Sequence, residues 1–511
     1  MSVEAIRLKN FMAFQDTDWI ELRPITLLFG KNSSGKSIIG RALRLLKQNL
    51  GAEAGSGPFV YAARRGVDVA DFGTMIHVSP GSPAWPKPVI FAFRCRLVDT
   101  LDVLIRLVNQ QRRREGLPEI SARQAHDQVE LCLQYEWNDE LEQAWLTELE
   151  ITYPQPHTEG QPGLIVFAAY RLDYRAAIEG EDEWGFHRDV WWFHSDILHG
   201  HEVDRDSAWA GARIDLVSGF LPSLATPEGV LSSGTASSDD LQFAVALLRE
   251  LRQTVEQFLR RTDYLGPLRP EPEREFVFDA QRIRDWRGSG LRGYLRYLRG
   301  EVDQSMIDEV DDWLQAIGLC YYAHPATFYS FRDRALVASV NIHELEEEEP
   351  KNLADVGFGL PQVLPVIIQC LLPGSDSTLL IEQPELHLHP SAQAELGDLF
   401  IQTSNRGIRL LIETHSEHLL LRMRRRIAET AAEKIIQDKR LSSQNLTVYF
   451  VDRAESTSFV ELVEITRLGG MAKLPQRLKD FFSDDLKEMV ELTDAALQVK
   501  SQKGKTYESG S

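Results

Sequence analysis

The chain has 511 residues, which at about 150 residues per domain corresponds to roughly three domains. Hydrophobic residues make up 43% and charged residues 26% of the sequence, which is typical of a globular protein and not of a disordered chain. The 56 basic and 76 acidic residues give a net charge of −20. This charge disfavours general binding of polyanions, so any contact with nucleic acid would need a local basic patch.

The sequence also lacks signals for a membrane or a secretory route. No apolar run approaches the ~18 residues of a membrane span, and the segment Met1–Glu4 has neither a basic nor an apolar signal region. The four cysteines are scattered without the spacing of a metal or redox motif. We therefore expect a cytoplasmic protein with no membrane contact and no disulfide scaffold.

The first hundred residues predict two strands followed by a helix. The strands are expected at 4–10 and 19–29, and the second ends in an apolar run directly before Gly30. A helix is expected from Lys36 to Leu50, because its apolar residues recur with helical spacing. A stretch rich in Gly, Ala and Ser, residues 51–57, ends it.

Residues 100–260 have a weaker pattern, and we expect a mixed α+β insertion there. Within it lie predicted helices at 101–114 and 241–261, predicted strands at 146–153 and 163–170, a loop at 225–239, and a stretch at 183–219 without a clear period.

The rest of the chain alternates between helix and strand. Predicted helices are 304–317, 361–372, 391–403 and 417–434, and predicted strands are 335–342, 378–381, 408–412, 446–451 and 459–465. In the last third this alternation predicts a parallel or mostly parallel α/β sheet.

One segment between a predicted strand and a predicted helix has the P-loop pattern. It consists of Gly30, Lys31, Asn32, Ser33, Ser34, Gly35, Lys36 and Ser37. In this motif the glycines let backbone N–H groups face a phosphate, the lysine ammonium reaches the β- and γ-phosphates, and the serine hydroxyl binds Mg²⁺. The helix N-terminus adds positive potential. The sequence therefore predicts a nucleotide site with Ser37 as a metal ligand; a chance match is the alternative.

A second element has the Walker B pattern, an apolar strand that ends in a carboxylate. The strand at 378–381 leads into Glu382, which would hold Mg²⁺ or its water shell, and Gln383 and Glu385 follow. His415 follows the next buried strand, where a histidine can hydrogen-bond a γ-phosphate or the attacking water. The alternative for His415 is a structural histidine near a strand end.

Together these motifs resemble the ABC-type P-loop ATPase heads of the SMC, RecF and OLD group. Asn10-Phe11 and the segment 355–362 match features of that group, and segments 264–269 and 468–482 resemble a linker motif and a small C-terminal domain of one prokaryotic subfamily with AAA-type heads. The resemblance implies an α/β fold in which the ATPase head is split in the sequence by a mixed α+β insertion. The expected division is a head at 1–99, an insertion at 100–260, the second part of the head at 261–467 and a small C-terminal segment at 468–511.

The resemblance also implies how the site would work. Two heads would sandwich ATP in a homodimer or larger homo-oligomer, and Gly357 and Gly359 would contact the γ-phosphate of the other subunit. Gly357 stands where many ABC heads have serine. Gln383 stands where transporter-type heads have the glutamate that activates water, so either Glu385 is the general base or hydrolysis is slow.

Two functions follow from the resemblance. The first is an ATPase whose nucleotide-driven dimerisation controls a separate effector protein or DNA, in prokaryotic antiviral defence or DNA repair. The second is a nucleotide-gated scaffold that binds ATP with little hydrolysis and holds an effector. No spaced Glu and Asp-x-Asp cluster follows the head, so we expect no built-in nuclease.

Two further clusters leave alternatives open. A basic helix face could contact DNA phosphates, although solvated or ion-pair roles fit an acidic chain equally well; it comprises Arg422, Arg424, Arg425 and Arg426. A second cluster could bind a metal, although a polar loop is favoured because no zinc spacing is present; it comprises His194, His199, His201, Glu202 and Asp204.

Overall fold

The computed structural model describes most of the head and parts of the middle of the chain. The described residues are 2–51, 59–61, 67, 69, 71–78, 87–96, 113, 128–138, 143–154, 162–169, 190–195, 210–215, 220–221, 223–224, 238–267, 269, 272–278, 292–319, 321–330, 335–344, 349–357, 359–372, 374, 376–434 and 437–472.

The strands of the described residues are numbered in chain order. They are β1 Ser2–Phe11, β2 Phe14–Asp16, β3 Ile20–Glu21, β4 Ile25–Phe29, β5 Val89–Arg96, β6 Gln128–Asn138, β7 Gln143–Pro154, β8 Pro162–Ala169, β9 Val190–Ser195, β10 Ala210–Asp215, β11 Ser223–Leu224, β12 Thr262–Leu265, β13 Phe276–Phe278, β14 Tyr321–Ser330, β15 Ala335–Glu344, β16 Lys351–Asn352, β17 Thr378–Glu382, β18 Arg409–Thr414, β19 Leu446–Ala454, β20 Thr457–Ile465 and β21 Met471–Ala472. The α-helices are α1 Lys36–Gln48, α2 Ser238–Arg260, α3 Arg292–Leu298, α4 Gln304–Ala316, α5 Gly359–Leu371, α6 Pro390–Asn405 and α7 Glu417–Ala431.

A parallel sheet forms the centre of the head. Its strand order is β12, β17, β18, β4 and β19, all parallel, and β20 continues it antiparallel to β19. Every residue of β4 and β17 is buried, as expected for parallel strands covered on both faces. Successive side chains point to opposite faces, so Leu27 and Leu28 belong to different cores. The prediction of an α/β fold with a mostly parallel sheet is confirmed.

Helices cover the two faces of this sheet. One core contains residues of α1 and α2 together with β1, β5, β6 and β7, and the other contains residues of α3 to α7. The P-loop strand β4 and the strand that ends in Glu382 come from the two ends of the sequence, so the head is split as predicted. Strand β18 lies between them, and the carboxyl ends of all three strands meet at one edge.

The same large sheet has an antiparallel part, which contains most of the described strands of the middle region and is joined to the head strands where β2 pairs with both β1 and β20. Strand β1 pairs with β5, and the pairing continues in order through β6, β7, β8, β9, β10 and β11. Strands β5 and β6 pair from Val89↔Tyr135 to Arg96↔Gln128, across the predicted boundary at residue 99. Helix α2 ends the predicted insertion and packs on β1, β5 and α1. The domain division therefore stays a prediction, and the antiparallel sheet crosses its first boundary.

Several predicted elements differ from those observed. The predicted strand 19–29 is two strands, β3 and β4, separated by Leu22–Pro24, because Pro24 has no N–H to donate to a ladder. The stretch 183–219, predicted without a period, contains β9 and β10, while β5, β6 and β14 were not predicted.

Some predictions fall where the structure gives little or no description. The predicted helix 101–114, apart from Arg113, and the loop as far as residue 237 lie outside the described residues, as do 473–511. Of the helices in the described ranges, none is both long and apolar enough to cross a bilayer. The described cysteines, Cys95, Cys132 and Cys370, are free thiols.

Candidate functional site

The P-loop connects β4 to α1 and its glycines are required by backbone geometry. Gly30 and Gly35 have φ angles of 155° and 105°, and only Gly35 lies well inside the left-handed region that side chains disfavour. A Cβ on Gly35 would lie 2.7 Å from the Ser458 hydroxyl, and one on Gly30 would overlap the carbonyl oxygen of Val451. The loop therefore needs glycine at these two positions to lie against β19 and β20.

Lys36 begins α1, and its ammonium points back into the loop. The side chain is buried, and Nζ donates to the carbonyl oxygens of Gly30 at 3.0 Å and Lys31 at 2.6 Å and to Ser34 Oγ at 3.4 Å. Burial lowers the pKa of Lys36 to about 8, against the opposing charges of Glu413 and Glu385. The ammonium is thus held where the loop would surround a phosphate.

Three buried glutamates lie at the strand ends beside the loop. Glu382 ends β17 and is in register with Glu413 of β18, so their side chains share a face, and Glu385 lies three residues further along. Burial, and then the neighbouring Glu413 carboxylate, raises the pKa of Glu382 to about 7. Burial likewise raises the pKa of Glu413 and that of Glu385.

The hydroxyl of Ser37 contacts Glu413 and not Glu382. Ser37 Oγ donates to Glu413 Oε1 at 2.9 Å, and Glu413 Oε2, although buried, has no hydrogen-bond partner. No local sequence pattern predicts a role for Glu413. The signal that could have identified it is the pairing register of β18 with β17 and β4, which local patterns do not contain.

Glu385 and Gln383 both contact His415. Glu385 Oε1 accepts from the His415 backbone N–H at 2.7 Å, and its Oε2 has no hydrogen-bond partner. Gln383 Nε2 lies 3.2 Å from His415 Nε2. Burial, and then the Lys36 charge, lowers the pKa of His415, so the neutral ring is favoured. The structure therefore brings all four predicted catalytic residues to one edge of the sheet.

The residues present suit Mg²⁺ bound together with nucleotide. A hydroxyl, carboxylates and an unpartnered buried carboxylate oxygen are hard oxygen donors, which Mg²⁺ prefers. In the described part of the chain, no group of three or more His, Cys, Asp or Glu side chains is arranged to hold a metal ion alone. Ser37 and Glu382 would hold the Mg²⁺ ion.

The segment after β12 supports the Walker B end of the site. The Tyr264 hydroxyl hydrogen-bonds the Glu382 carboxylate, and the Arg44 guanidinium lies 3.7 Å from the centroid of the tyrosine ring. Arg269 is buried and donates to the backbone oxygens of Glu382 and Gln383, both at 3.2 Å. Burial lowers the pKa of Arg269 to about 10. The sequence singled out this segment as a motif but predicted none of these contacts.

The predicted signature glycines lie at the start of α5. Gly359 is the first residue of the helix, two residues earlier than predicted, and Phe358 lies outside the described residues. A Cβ on Gly359 would lie 3.4 Å from the His387 carbonyl oxygen, whereas one on Gly357 would have nothing within 4 Å. Their contact with a second subunit stays a prediction.

The predicted basic face is largely occupied by contacts within the chain. Arg422 and Arg426 donate to Asp398 at 2.8 Å and 2.5 Å, and Arg424 donates to the Gly469 carbonyl oxygen at 2.8 Å. Arg425 pairs with Glu429 at 2.6 Å and is the one exposed residue of the four. DNA binding through this face stays a prediction, and the ion-pair alternative describes the contacts observed. Of the histidine-rich cluster considered as a possible metal site, only the backbone of His194, in β9, is described. The remaining residues of that cluster lie outside the described ranges.

Two segments of the chain match models of protein families. Residues 226–422, which include Glu382 and His415, match the family described as "AAA domain, putative AbiEii toxin, Type IV TA system". Residues 1–78, which include the P-loop, match the family described as "AAA ATPase domain". Both parts of the candidate site thus lie in segments that match AAA-type ATPase domains, which confirms the prediction of a P-loop ATPase.

Three solved structures of SMC heads are similar to this chain at low identity. The SmcHead bound to the C-winged helix domain of ScpA is 14% identical with a TM-score of 0.40, and the comparison covers 91% of this chain and 99% of that chain. The SMC head domain from Thermotoga maritima is 11% identical with a TM-score of 0.34, covering 91% and 100%. The Smc head domain with an extended coiled coil, bound to the C-terminal domain of ScpA derived from Pyrococcus furiosus, is 12% identical with a TM-score of 0.37, covering 95% and 99%. No curated protein sequence matches this chain.

Proposed function

We propose that this P-loop ATPase of the AAA type hydrolyses Mg²⁺-ATP, with Glu385 as the general base. The observation that carries the proposal is the geometry of Glu385. One carboxylate oxygen is fixed by the His415 backbone N–H at 2.7 Å, and the other is buried without a partner. A held carboxylate with one free oxygen is suited to accept a proton from a water molecule.

The remaining residues of the site supply orientation and charge. The attacking water would give its proton to Glu385 Oε2 as its oxygen bonds to the γ-phosphorus, and ADP would be the leaving group. Lys36 would stabilise negative charge on the transferring phosphoryl group. His415 and Gln383, whose side-chain nitrogens lie 3.2 Å apart, would orient the water or the γ-phosphate. Ser37 and Glu382 would hold Mg²⁺, which neutralises phosphate charge when bound.

Burial makes Glu385 a stronger base than an exposed glutamate. Its pKa is raised by burial, although hydrogen bonding from the His415 backbone opposes the shift. A pKa moved from the usual carboxyl range towards neutrality increases the driving force for proton transfer from water. Gln383 cannot take this role, since an amide does not accept a proton near neutral pH.

Release of phosphate by the purified protein tests the proposal. The wild-type chain should release phosphate from ATP in a Mg²⁺-dependent manner, and Lys36→Ala and Glu385→Gln should not. Binding of a fluorescent ATP analogue, measured in parallel, should survive in Glu385→Gln. Turnover of Glu385→Gln at the wild-type rate would exclude Glu385 as the base.

We further propose that two copies close over ATP and that this closure controls a separate effector protein or DNA. The position of Gly357 and Gly359 at the start of α5 and the resemblance to ABC-type heads support this proposal. A role in prokaryotic antiviral defence or DNA repair rests on the resemblance alone. Light scattering of Glu385→Gln should report a dimer with Mg²⁺-ATP and a smaller species without nucleotide. A mass that does not respond to nucleotide would contradict closure.

The alternative is a nucleotide-gated scaffold with little hydrolysis, and Gln383 favours it. Its φ of 47° and its backbone hydrogen bond to Glu413 at 2.8 Å fix an amide at the position that transporter-type heads use for the water-activating glutamate. Tight Mg²⁺-ATP binding without measurable phosphate release would support the scaffold over the ATPase.

A further inference from the structure

We propose that Glu413 is a positioning residue for the metal: it orients the Ser37 hydroxyl towards the ion, and its second carboxylate oxygen accepts a hydrogen bond from a metal-bound water. This inference rests on the proposed binding of Mg²⁺-ATP at the P-loop. It adds a third side chain to the metal site expected from Ser37 and Glu382, and it does not depend on whether ATP is hydrolysed.

Glu413 lies on the strand between the P-loop strand and the Walker B strand. Strand β18 lies between β17 and β4, with Glu413 in register with Glu382 on one side and with Leu28 on the other. Its side chain therefore shares a face with Glu382 and adjoins the P-loop. Its backbone oxygen also accepts from the Gln383 N–H at 2.8 Å. Glu413 thus connects the P-loop and the end of the Walker B strand through both backbone and side chain.

The two carboxylate oxygens of Glu413 differ in their hydrogen bonding. Oε1 accepts from Ser37 Oγ at 2.9 Å, and Oε2 is buried with no hydrogen-bond partner. The hydrogen bond with Ser37 uses only Oε1, and a neutral glutamine would supply that acceptor. The Glu413 charge also attracts Lys36, but the Lys36 ammonium donates to loop oxygens and leaves Oε2 without a partner. The charge and the unpartnered oxygen are instead suited to a cation and the waters that Mg²⁺ retains when it binds.

The chemistry of the contact supports the same role. A hydroxyl that donates its proton to a carboxylate has its lone pairs available on the opposite side and is a stronger metal ligand. Partners of this kind orient the metal ligands, and their loss typically costs about 10- to 100-fold in metal affinity.

The Glu413→Gln variant tests the inference through metal binding. The amide oxygen can still accept from Ser37, while the charge and one acceptor oxygen are lost. A fluorescent ATP analogue is titrated with Mg²⁺, and in parallel with EDTA present. We expect the apparent Kd for Mg²⁺ to rise about 10- to 100-fold, with no loss of analogue binding in EDTA. Direct titration of Mn²⁺ by electron paramagnetic resonance should show the same weakening.

Two controls make the result specific. Glu349→Gln makes the same chemical change at an exposed position and should leave the Mg²⁺ titration unchanged. In a Ser37→Ala background, Glu413→Gln should weaken Mg²⁺ binding less than in the wild type, since one of its two effects is transmitted through the hydroxyl.

Three results would overturn the inference. They are an apparent Kd for Mg²⁺ within about twofold of wild type, an equal loss of analogue binding with and without Mg²⁺, or loss of turnover with unchanged Mg²⁺ affinity. The second would make Glu413 a structural clamp and the third would make it a base. A wild-type protein that binds Mg²⁺-ATP but does not turn it over would contradict the proposed hydrolysis, and the same titration would still test Glu413.

Discussion

Two of the places where the described residues bury carboxylates differ in how completely those carboxylates are paired. Asp398 in α6 is inaccessible, and both of its oxygens accept hydrogen bonds from Arg422 and Arg426. At the strand ends beside the P-loop, Glu413 and Glu385 are also buried, but each has one oxygen without a partner. We call the fully paired cluster around Asp398 the closed cluster. We call the glutamates beside the P-loop, which keep unpaired oxygens, the open cluster.

The two clusters also have opposite electrostatics. Burial is the largest single effect and would raise the pKa of Asp398, but hydrogen bonds from Arg426 and the charges of Arg426, Lys439 and Arg422 together outweigh it, and the pKa is lowered. Beside the P-loop, burial dominates and raises the pKa of Glu385. Buried polar groups in native proteins are almost always paired, so unpaired carboxylate oxygens beside a P-loop fit a site that a ligand completes. This difference distinguishes the candidate site from the structural cluster, and mutations can test it.

The largest effect is expected in the open cluster, from Lys36→Ala. Loss of the ammonium removes the main positive charge beside the phosphates, so we expect phosphate release to fall at least about 100-fold. Thermal unfolding of the variant should be close to that of the wild type, because the neighbouring loop oxygens can be solvated. Phosphate release within tenfold of wild type would show that the open cluster is not the reaction site.

Glu385→Gln should greatly reduce phosphate release without reducing the stability of the fold. We expect phosphate release to fall by about 100- to 10,000-fold, because the amide cannot accept a proton. The free energy of unfolding at neutral pH should be unchanged or higher, because the amide oxygen still accepts from the His415 N–H and a buried charge is removed. Urea unfolding measures this, and a clear loss of stability would mean that Glu385 is as fully satisfied as Asp398.

Asp398→Asn should lower stability and leave nucleotide binding unchanged, the opposite of Glu385→Gln. It removes the buried charge that faces Arg422, Arg426 and Lys439, and leaves the two arginines only their more exposed partners Glu395 and Glu429, so the free energy of unfolding should fall by about 3 kcal/mol. Nucleotide affinity, measured well below the unfolding transition, should stay within about twofold of wild type. As a control, Glu395→Gln removes a partly exposed partner of Arg422 and should cost less than about 1 kcal/mol.

The same cluster predicts a pH dependence of stability. The folded-state pKa of Asp398 is lowered, so its contribution is fully present above its unfolded-state value of about 3.9 and is lost as pH falls through the folded-state value. The wild type should therefore lose more unfolding free energy than Asp398→Asn between neutral pH and pH ~3. Parallel urea titrations at several pH values measure the difference, and identical slopes would contradict the assigned ion pairs.

The smallest effect is expected from Tyr264→Phe. The phenyl ring can still lie under Arg44, and only the hydrogen bond to Glu382 is lost, which corresponds to about 1 kcal/mol, or roughly fivefold in Mg²⁺-dependent nucleotide affinity. Tyr449→Phe is the matched control, because the Tyr449 hydroxyl accepts from the Glu21 backbone N–H at 2.7 Å, away from the carboxylates. An equal change in nucleotide affinity in both variants would exclude a specific role for Tyr264.

Much of the fold and half of the site could be predicted from local sequence patterns. The spacing of Gly30, Gly35 and Lys36 identifies a phosphate-binding loop, because few backbones other than this turn require those residues together. The apolar run before Glu382 identifies a buried parallel strand, and the alternation of strands and helices identifies the sheet. These features depend on residues that are neighbours in the sequence, so the chain alone contains them.

The antiparallel sheet of the middle region was harder to predict. Strands β9 and β10 lie in a stretch without a clear period, and β5 and β6 pair across the predicted domain boundary. Strand pairing of this kind depends on partners distant in the sequence, and its register cannot be deduced from the pattern of one strand.

Only the tertiary structure decided which charged groups are paired and which are open. The contact of Glu413 with Ser37 joins residues 376 positions apart, and Arg269 reaches the Walker B backbone across 114 positions. The arginines of α7 form a basic stretch in the sequence, yet Asp398 of α6 accepts from two of them. Whether a buried carboxylate is satisfied depends on these long-range neighbours. The sequence by itself therefore determined the P-loop pattern that predicts a phosphate site, and the packing of β4, β17 and β18 determined which carboxylate oxygens beside it have no partner.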